Sequence, residues 1–127
     1  MMGGSHKGYD FGELSGKTIG ACIEVHKNLG PGFKEITYQR ALAMELKIQG
    51  LKFNREVEIP IYYKGKQIEK RRVDFLIQDC LLEIKAKSQF DPQDYVQTLS
   101  YLKASGFKVG LLINFGTKKV EVKRLVN

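Results

Sequence analysis

Apolar residues recur at helical spacing in the first part of the chain. Between Gly16 and Leu29 they fall every three or four residues, and this spacing predicts a short amphipathic helix. The glycine-proline-glycine segment at 30–32 ends that helix and permits a sharp change of direction. A second helical pattern runs from about Phe33 to Gln49 and stops at Gly50. Its apolar contacts are expected from Tyr38, Leu42, Met44, Leu46 and Ile48.

The middle of the chain alternates apolar and polar residues, which is the pattern of β-strands. Residues 57–77 predict a hairpin with its turn at 64–66, where a glycine lies between two lysines. Pro60 has no backbone N–H to donate, so it favours an edge position for the first strand. After a turn at 78–79, residues 80–87 predict a third strand.

The last part of the chain predicts one helix and two further strands. Asp91 is suited to cap that helix, Pro92 to its first turn and Gly106 to its end. The resulting order, ααβββαββ, is typical of the α/β or α+β class, with a mixed central β-sheet flanked by helices. Residues 1–12 are expected to be a flexible lead or an expression remnant, and 13–127 to be a single domain.

Composition narrows the class of protein. The chain has 127 residues, 43% hydrophobic and 28% charged, and no apolar run approaches the roughly 18–20 residues that span a bilayer. We therefore expect a soluble protein without a membrane partner. Cys22 and Cys80 lack CxxC spacing, which favours buried reduced thiols and a cytoplasmic location. The net charge of +7 favours polyanionic partners such as nucleic acid.

The segment CLLEIKAKS, residues 80–88, places charge inside an apolar run. Because side chains alternate along a strand, Glu83 and Lys85 share one face, opposite an apolar face that includes Ile84. The short turn makes the preceding strand an antiparallel neighbour, which brings Asp74 close to both charges. Two carboxylates and an ammonium group are thus expected to meet on one side of the sheet.

Two interpretations of this charged face are open. It can be the wet side of a half-exposed sheet, with Glu83 and Lys85 as an ordinary solvated pair. Alternatively, two adjacent carboxylates repel, which raises one pKa unless a cation lies between them. A hard divalent ion such as Mg²⁺, bound by oxygen ligands, removes that penalty. The second interpretation predicts a metal site that could activate water for attack on a phosphate.

The arrangement of these residues resembles the PD-(D/E)XK nuclease superfamily. The core motif is RVDFLIQDCLLEIKAK, residues 72–87, with Val73 where the name of the superfamily has proline. The segment GFKEITY, residues 32–38, is similar to the signature of the GxxExxY protein family, a branch of that superfamily. The resemblance covers roughly residues 13–127 and implies a restriction-endonuclease-like core.

The resemblance also implies roles for individual residues at the metal site. Asp74 and Glu83 are expected to be ligands of Mg²⁺ or Mn²⁺, with the backbone carbonyl of Ile84 completing the shell. Glu35, from a helix before the sheet, matches a further acidic ligand position. A carboxylate in the first turn of a helix is also favoured by the helix dipole alone, so a structural role for Glu35 is open as well.

Further positions are implied around the reacting phosphate. Lys85 matches the catalytic lysine, and Gln97 matches a glutamine on the helix after the Glu-x-Lys strand. Tyr38 and Tyr101 are secondary candidates, because each lies one helical turn from a matched residue. For Tyr38 a packing or positioning role is the simpler expectation.

The resemblance implies a Mg²⁺-dependent nuclease that hydrolyses DNA or RNA by an activated water. A module that keeps the nuclease fold and binds nucleic acid or protein without hydrolysis is the main alternative. A third reading is an Asp-Glu-Lys network that only stabilises the sheet. A homodimer is expected by analogy with small nucleases. Basic residues that could contact phosphates cluster in two segments: Lys64, Lys66, Lys70, Arg71 and Arg72, and then Lys118, Lys119, Lys123 and Arg124.

Overall fold

Three helices and five strands follow one another in the predicted order, ααβββαββ. They are seen in a computed structural model that describes residues 11–127, apart from the side chain of Phe11. The elements are α1 (Phe11–Leu29), α2 (Glu35–Ile48), β1 (Asn54–Tyr63), β2 (Lys66–Ile77), β3 (Cys80–Lys85), α3 (Pro92–Ser105), β4 (Val109–Asn114) and β5 (Glu121–Val126). Most of the expected lead, residues 1–10, lies outside the described residues. No helix in the described range is long and apolar enough to cross a bilayer.

The five strands form one mixed sheet in the order β1-β2-β3-β4-β5. The β3–β4 pair is parallel and joined through α3, whereas every other neighbouring pair is antiparallel. The mixed α/β architecture with a restriction-endonuclease-like order of elements is therefore confirmed. β1 is an edge strand, as Pro60 predicted, since proline cannot donate to a second neighbour.

The turn between α1 and α2 depends on glycine conformations and on one tyrosine. Gly30 has φ 69° and Gly32 has φ 112°, left-handed values that favour glycine over other residues. The Tyr38 hydroxyl donates to the Gly30 carbonyl at 2.5 Å and accepts from the Phe33 N–H at 3.2 Å. The Tyr38 ring is fully buried and stacks on Phe115 with 4.6 Å between ring centroids. Tyr38 thus fixes the position at which α2 begins.

Each face of the sheet carries its own apolar core. Leu82 and Ile84 of β3 face a core formed with α1 and α2, whereas Leu81 faces a smaller core formed with α3. This is the alternation expected of a central strand. The sequence expectation was wrong for Met44 and Ile48, which are 67% and 73% exposed. The buried stripe of α2 follows an i, i+4, i+8 spacing instead: Tyr38, Leu42 and Leu46.

The segment after β3 passes very close to the loop after β4. A Cβ atom built on Gly116 would lie 2.3 Å from both the backbone nitrogen and the backbone oxygen of Lys87. The Gly116 N–H also donates to the Asn114 side chain at 3.0 Å. Only glycine permits this approach, because backbone atoms, unlike the end of a flexible side chain, cannot swing away.

Replacing Gly116 with alanine should therefore destabilise the fold by at least about 2 kcal/mol, because the backbones must separate. Gly20→Ala is the matched control: Gly20 lies in α1 with no atom within 4 Å of the added Cβ, and there alanine should stabilise by about 0.5–1 kcal/mol. Urea unfolding of both variants measures the two changes. A Gly116→Ala protein as stable as the parent would show that the two backbones do not meet this closely.

Candidate active site

The two predicted carboxylates lie where strands β2 and β3 stop pairing. Their ladder includes the pair Phe75 and Leu82 but goes no further in that direction. Beyond it, Glu83 Oε1 accepts a hydrogen bond from the Asp74 N–H at 2.8 Å. In exchange, Asp74 Oδ2 accepts one from the Ile84 N–H at 2.7 Å. Side-chain oxygens thus replace the backbone carbonyls of the ladder, and this exchange places both carboxyl groups in the gap between the strands.

The gap is a poor environment for two negative charges. Glu83 is only 7% exposed. Burial, followed by the neighbouring Asp74 charge, raises the pKa of Glu83 to about 8, although the Asp74 N–H and the Lys85 charge oppose this. Burial also raises the pKa of Asp74, against hydrogen bonds from Ile84 and Gln39. The pair needs a further positive charge to be fully ionised near neutral pH.

Helix α2 supports Asp74 through a buried glutamine that the sequence interpretation missed. Gln39 Nε2 donates to Asp74 Oδ1 at 3.0 Å, and Gln39 Oε1 accepts from Arg55 at 2.9 Å. The Arg55 contact fixes which end of the amide faces Asp74, because a guanidinium can only donate. The available signal was helical spacing, since Gln39 lies four residues after Glu35 and hence on the same face of α2.

Helix α3 supplies a second residue that was missed, the buried Asp94. Its Oδ1 lies 3.7 Å from Lys85 Nζ, and its Oδ2 lies 2.9 Å from Lys87 Nζ. Burial opposes ionisation of Asp94, but the Asp91 N–H and the Lys87 ammonium outweigh it and lower the Asp94 pKa. Asp91 and Asp94 also form a reciprocal capping box at the start of α3. The Asp-x-x-Asp spacing was the sequence signal for this position.

Asn114 ties the chain after β3 to the end of β4. This fully buried side chain accepts from the Lys87 N–H and donates to the Lys87 carbonyl, both at 3.0 Å. It also donates to Glu121 at 3.0 Å. Lys85 pairs with Asn114 in the parallel β3–β4 ladder. The position of Lys85 is consequently determined on two sides, by its strand partner and by Asp94.

The remaining expected site residues lie on α2, β3 and α3. Glu35 is the first residue of α2, and burial raises its pKa while Lys85 lowers it and Asp74 raises it. Ile84 contributes its N–H to Asp74, and its side chain is buried in the larger core. Gln97 is half-buried on α3, and among the described residues no hydrogen bond connects it to the carboxylates. Tyr101 packs against the smaller core.

A divalent cation is compatible with this donor set. Within residues 11–127, no group of three or more His, Cys, Asp or Glu side chains is placed so that it could hold a metal ion. Asp74 and Glu83 nevertheless supply carboxylate oxygens, the ligands that Mg²⁺ prefers, and each oxygen can accept a second contact beside its hydrogen bond. The raised pKa values of Asp74 and Glu83 have the same main cause, burial away from water, and a bound cation would oppose it. The residues present therefore fit such an ion.

Comparison with known proteins gives one family match. The family model of the PD-(D/E)XK nuclease superfamily matches residues 12–125. A comparison with curated proteins finds no significant match. Among solved structures, the crystal structure of SSO0001 matches with a TM-score of 0.49 and 16% sequence identity, over 96% of this chain and 79% of that chain. The structural likeness is too low to say anything about function.

Replacing Asp94 with asparagine should remove the charge that binds both lysines and destabilise the fold at pH 7 by about 1–3 kcal/mol. Because the folded-state pKa of Asp94 is lowered, its stabilisation is present above the unfolded pKa of about 3.9 and is lost as the pH falls through the folded value. The stability difference between parent and variant should thus shrink below about pH 4. Urea unfolding across a pH series measures it.

Asp91→Asn is the control for this variant. Asp91 also contacts Lys87, at 3.0 Å, but it is exposed, and asparagine caps a helix as well as aspartate does. The Asp91 variant should unfold close to the parent. If Asp94→Asn has no larger effect than Asp91→Asn, the buried contacts of Asp94 do not stabilise the fold.

Proposed function

Because the chain belongs to the PD-(D/E)XK nuclease superfamily, we propose that it hydrolyses phosphodiester bonds of DNA or RNA with the help of Mg²⁺ or Mn²⁺. One observation carries the proposal: in a buried gap between two strands, beside Lys85, Glu83 accepts a hydrogen bond from the Asp74 N–H and Asp74 accepts one from the Ile84 N–H. These are the positions of the superfamily motif. The same gap would be an expensive way to build a sheet if no cation were ever bound there.

We further assign the chain to the GxxExxY branch of the superfamily. The three residues that define GFKEITY each have a physical role here. Gly32 adopts a left-handed backbone conformation at the turn, and Tyr38 anchors that turn through Gly30. Glu35 begins α2 within electrostatic range of Lys85 and Asp74. The motif thus joins a turn, an acidic group and its anchor, which supports the assignment.

Asp74 and Glu83 would hold the metal ion, with the Ile84 carbonyl and Glu35 as the further ligands we propose. When bound, such an ion supplies Lewis acidity that lowers the pKa of a water and offsets charge on the phosphate. Gln39 keeps Asp74 in a fixed orientation through its hydrogen bond of 3.0 Å. The chain would thus contribute carboxylate oxygens that are already oriented and largely shielded from water.

Lys85 is the group we propose to act on the reacting phosphate. Its side chain is 19% exposed and is held near Asp94, so its ammonium group can face a phosphate without being free to leave the site. It would donate to a nonbridging oxygen and orient the attacking water. The water oxygen would form a bond to phosphorus as the water loses a proton to solvent, and the ester P–O bond would break as the leaving oxygen takes up a proton from solvent. Gln97 would support the nucleophile from α3.

The proposed substrate and location follow from charge and from the cysteines. A net charge of +7 favours a polyanion. Cys22 and Cys80 are both buried and not in a disulfide. Burial raises the pKa of Cys80 to about 12, which keeps that thiol protonated and inert. We therefore propose a nucleic-acid substrate and a reducing, cytoplasmic environment, and a homodimer as the assembly that would engage two strands.

Replacing Lys85 with alanine should reduce the cleavage rate by about 100- to 1000-fold, because one charge-stabilising donor is lost from the transition state. The measurement is a cleavage panel with Mg²⁺ or Mn²⁺ on duplex DNA, single-stranded DNA, branched DNA and RNA. Lys52→Ala is the control, since it removes an exposed lysine outside the site and should cleave like the parent.

Two results would contradict this mechanism. A Lys85→Ala protein that cleaves as fast as the parent would exclude Lys85 from the reaction. A folded parent protein that cleaves no member of the panel would exclude the hydrolase and leave the alternative, a module that binds nucleic acid or protein without cutting it.

Metal binding gives a separate prediction that does not depend on catalysis. Mg²⁺ or Mn²⁺ at about 100 times its dissociation constant should stabilise the parent by about 2.7 kcal/mol, because the ion binds only the folded state. Asp74→Ala should abolish this gain, whereas Asp79→Ala, which removes an exposed carboxylate from the β2–β3 turn, should keep it. Thermal unfolding with and without the ion measures both. If the ion leaves the melting temperature of the parent protein unchanged, the result would instead favour an Asp-Glu-Lys network that only stabilises the sheet.

A further inference from the structure

The hairpin of β1 and β2 extends well past the candidate active site. β2 pairs with β3 only between Phe75 and Ile77, whereas its pairing with β1 continues from there to Lys66. The eight residue steps from Asp74 to Lys66 correspond to about 26 Å of extended strand. The two strands thus form an arm whose base is at the carboxylates. Its end, residues 61–68, is called the hairpin tip below.

The hairpin tip exposes a cluster of large apolar side chains. Tyr62, Tyr63 and Ile68 are 60%, 62% and 62% exposed. Its turn is a tight two-residue turn, in which Lys64 and Gly65 both have positive φ, 49° and 82°, as in a type I′ turn. A tight turn within a paired hairpin leaves less backbone freedom to be lost on binding than a long loop would.

The hairpin tip is also positively charged. It contains Lys64 and Lys66 and no acidic residue. The basic side chains nearer the base of the arm have acidic partners: Lys70 lies 3.7 Å from Glu58, and Arg72 lies 3.3 Å from Glu56. Within the part of the chain that the structure describes, no ion pair includes either lysine of the tip. In this part of the chain, no acidic side chain therefore neutralises either charge, which favours a polyanion as the partner.

At the hairpin tip, an aromatic ring lies close to two positively charged side chains. Tyr63 lies directly opposite Lys66 across the ladder, so their side chains are on the same face. The Lys64 ammonium lies 5.5 Å from the centre of the Tyr63 ring. An aromatic surface bordered by two lysines is suited to a stacked base with a phosphate on either side. A purely apolar partner would leave both ammonium groups desolvated and unpaired.

We propose that the hairpin tip binds a single-stranded segment of nucleic acid. A base stacks on Tyr63, and the ammonium groups of Lys64 and Lys66 contact the adjoining phosphates. The arm then holds the strand at a distance from the carboxylates while another part of the strand lies at the cleavage site. The class of ligand rests on the proposed function, but binding at the tip does not require that the protein cuts.

The test is the affinity for a fluorescently labelled oligothymidine in EDTA, where no divalent ion allows cleavage. Tyr63→Ala should weaken binding by about 5- to 100-fold, the loss expected for one stacked base. The matched control is Tyr95→Ala, which removes another exposed tyrosine, on α3, and should leave the affinity unchanged. The same series on a fully paired duplex should show no loss for Tyr63→Ala.

Lys64→Asn separates binding from folding. Asparagine before glycine favours the type I′ turn, so this variant should be at least as stable as the parent. It should nevertheless bind the oligothymidine more weakly, and the slope of log K against log salt should fall by about 0.7, the value for one phosphate contact on a single strand. If Lys64→Asn is at least as stable as the parent and still binds more weakly, the loss of affinity cannot be attributed to unfolding.

Three results would overturn the inference: unchanged affinity in Tyr63→Ala, an equal loss on duplex, or a change from dimer to monomer in Tyr63→Ala by light scattering. The last would show that the tip is an interface between copies of the chain. The proposed hydrolase is tested separately. A parent that binds through the tip but never cleaves contradicts the hydrolase alone, and a parent that cleaves while Tyr63→Ala binds normally contradicts the tip alone.

Discussion

The structure depends on the exchange of two hydrogen bonds between side chains and backbone at the point where β2 and β3 separate. Asp74 accepts from the Ile84 N–H, and Glu83 accepts from the Asp74 N–H. Without these carboxylates, two backbone donors in a mostly buried place would have no partner. The same oxygens are the ones a divalent cation would bind. The fold and the proposed metal site therefore both require the carboxylate oxygens of these two residues. Removing either side chain should destabilise the fold.

The elements that surround this gap are α2, α3 and the end of β4, and each is held in place by side-chain contacts. α2 begins beside it with Glu35 and reaches Asp74 through Gln39, while α3 begins on the other side with Asp94 next to Lys85. Both helices start here, and the positive end of a helix dipole generally favours nearby negative charge. Asn114 closes the remaining side by binding the backbone after β3. The site is thus assembled from four separate parts of one small chain.

Local patterns in the sequence were sufficient for the order of elements, the edge position of β1 and the cap of α3, because each depends on residues close in sequence. They also placed Asp74, Glu83 and Lys85 near one another, since one short turn relates their strands. The supporting residues were not predictable in this way. Gln39 contacts a residue 35 positions away, and Asn114 one 27 positions away. No periodicity encodes such contacts, and alternation alone cannot reveal where a ladder stops.

The electrostatics of the gap bear on whether it is only structural. A network selected for stability alone would pair each buried charge with an opposite one, yet the Asp74 charge raises the pKa of Glu83, and Lys85 offsets this only in part because it also faces Asp94. An amide at either position could accept the same backbone hydrogen bond without the repulsion. Keeping two carboxylates in a desolvated place is favourable when the fold must also bind a cation. The incompletely compensated negative charge of this pair therefore supports the proposal that a cation binds here.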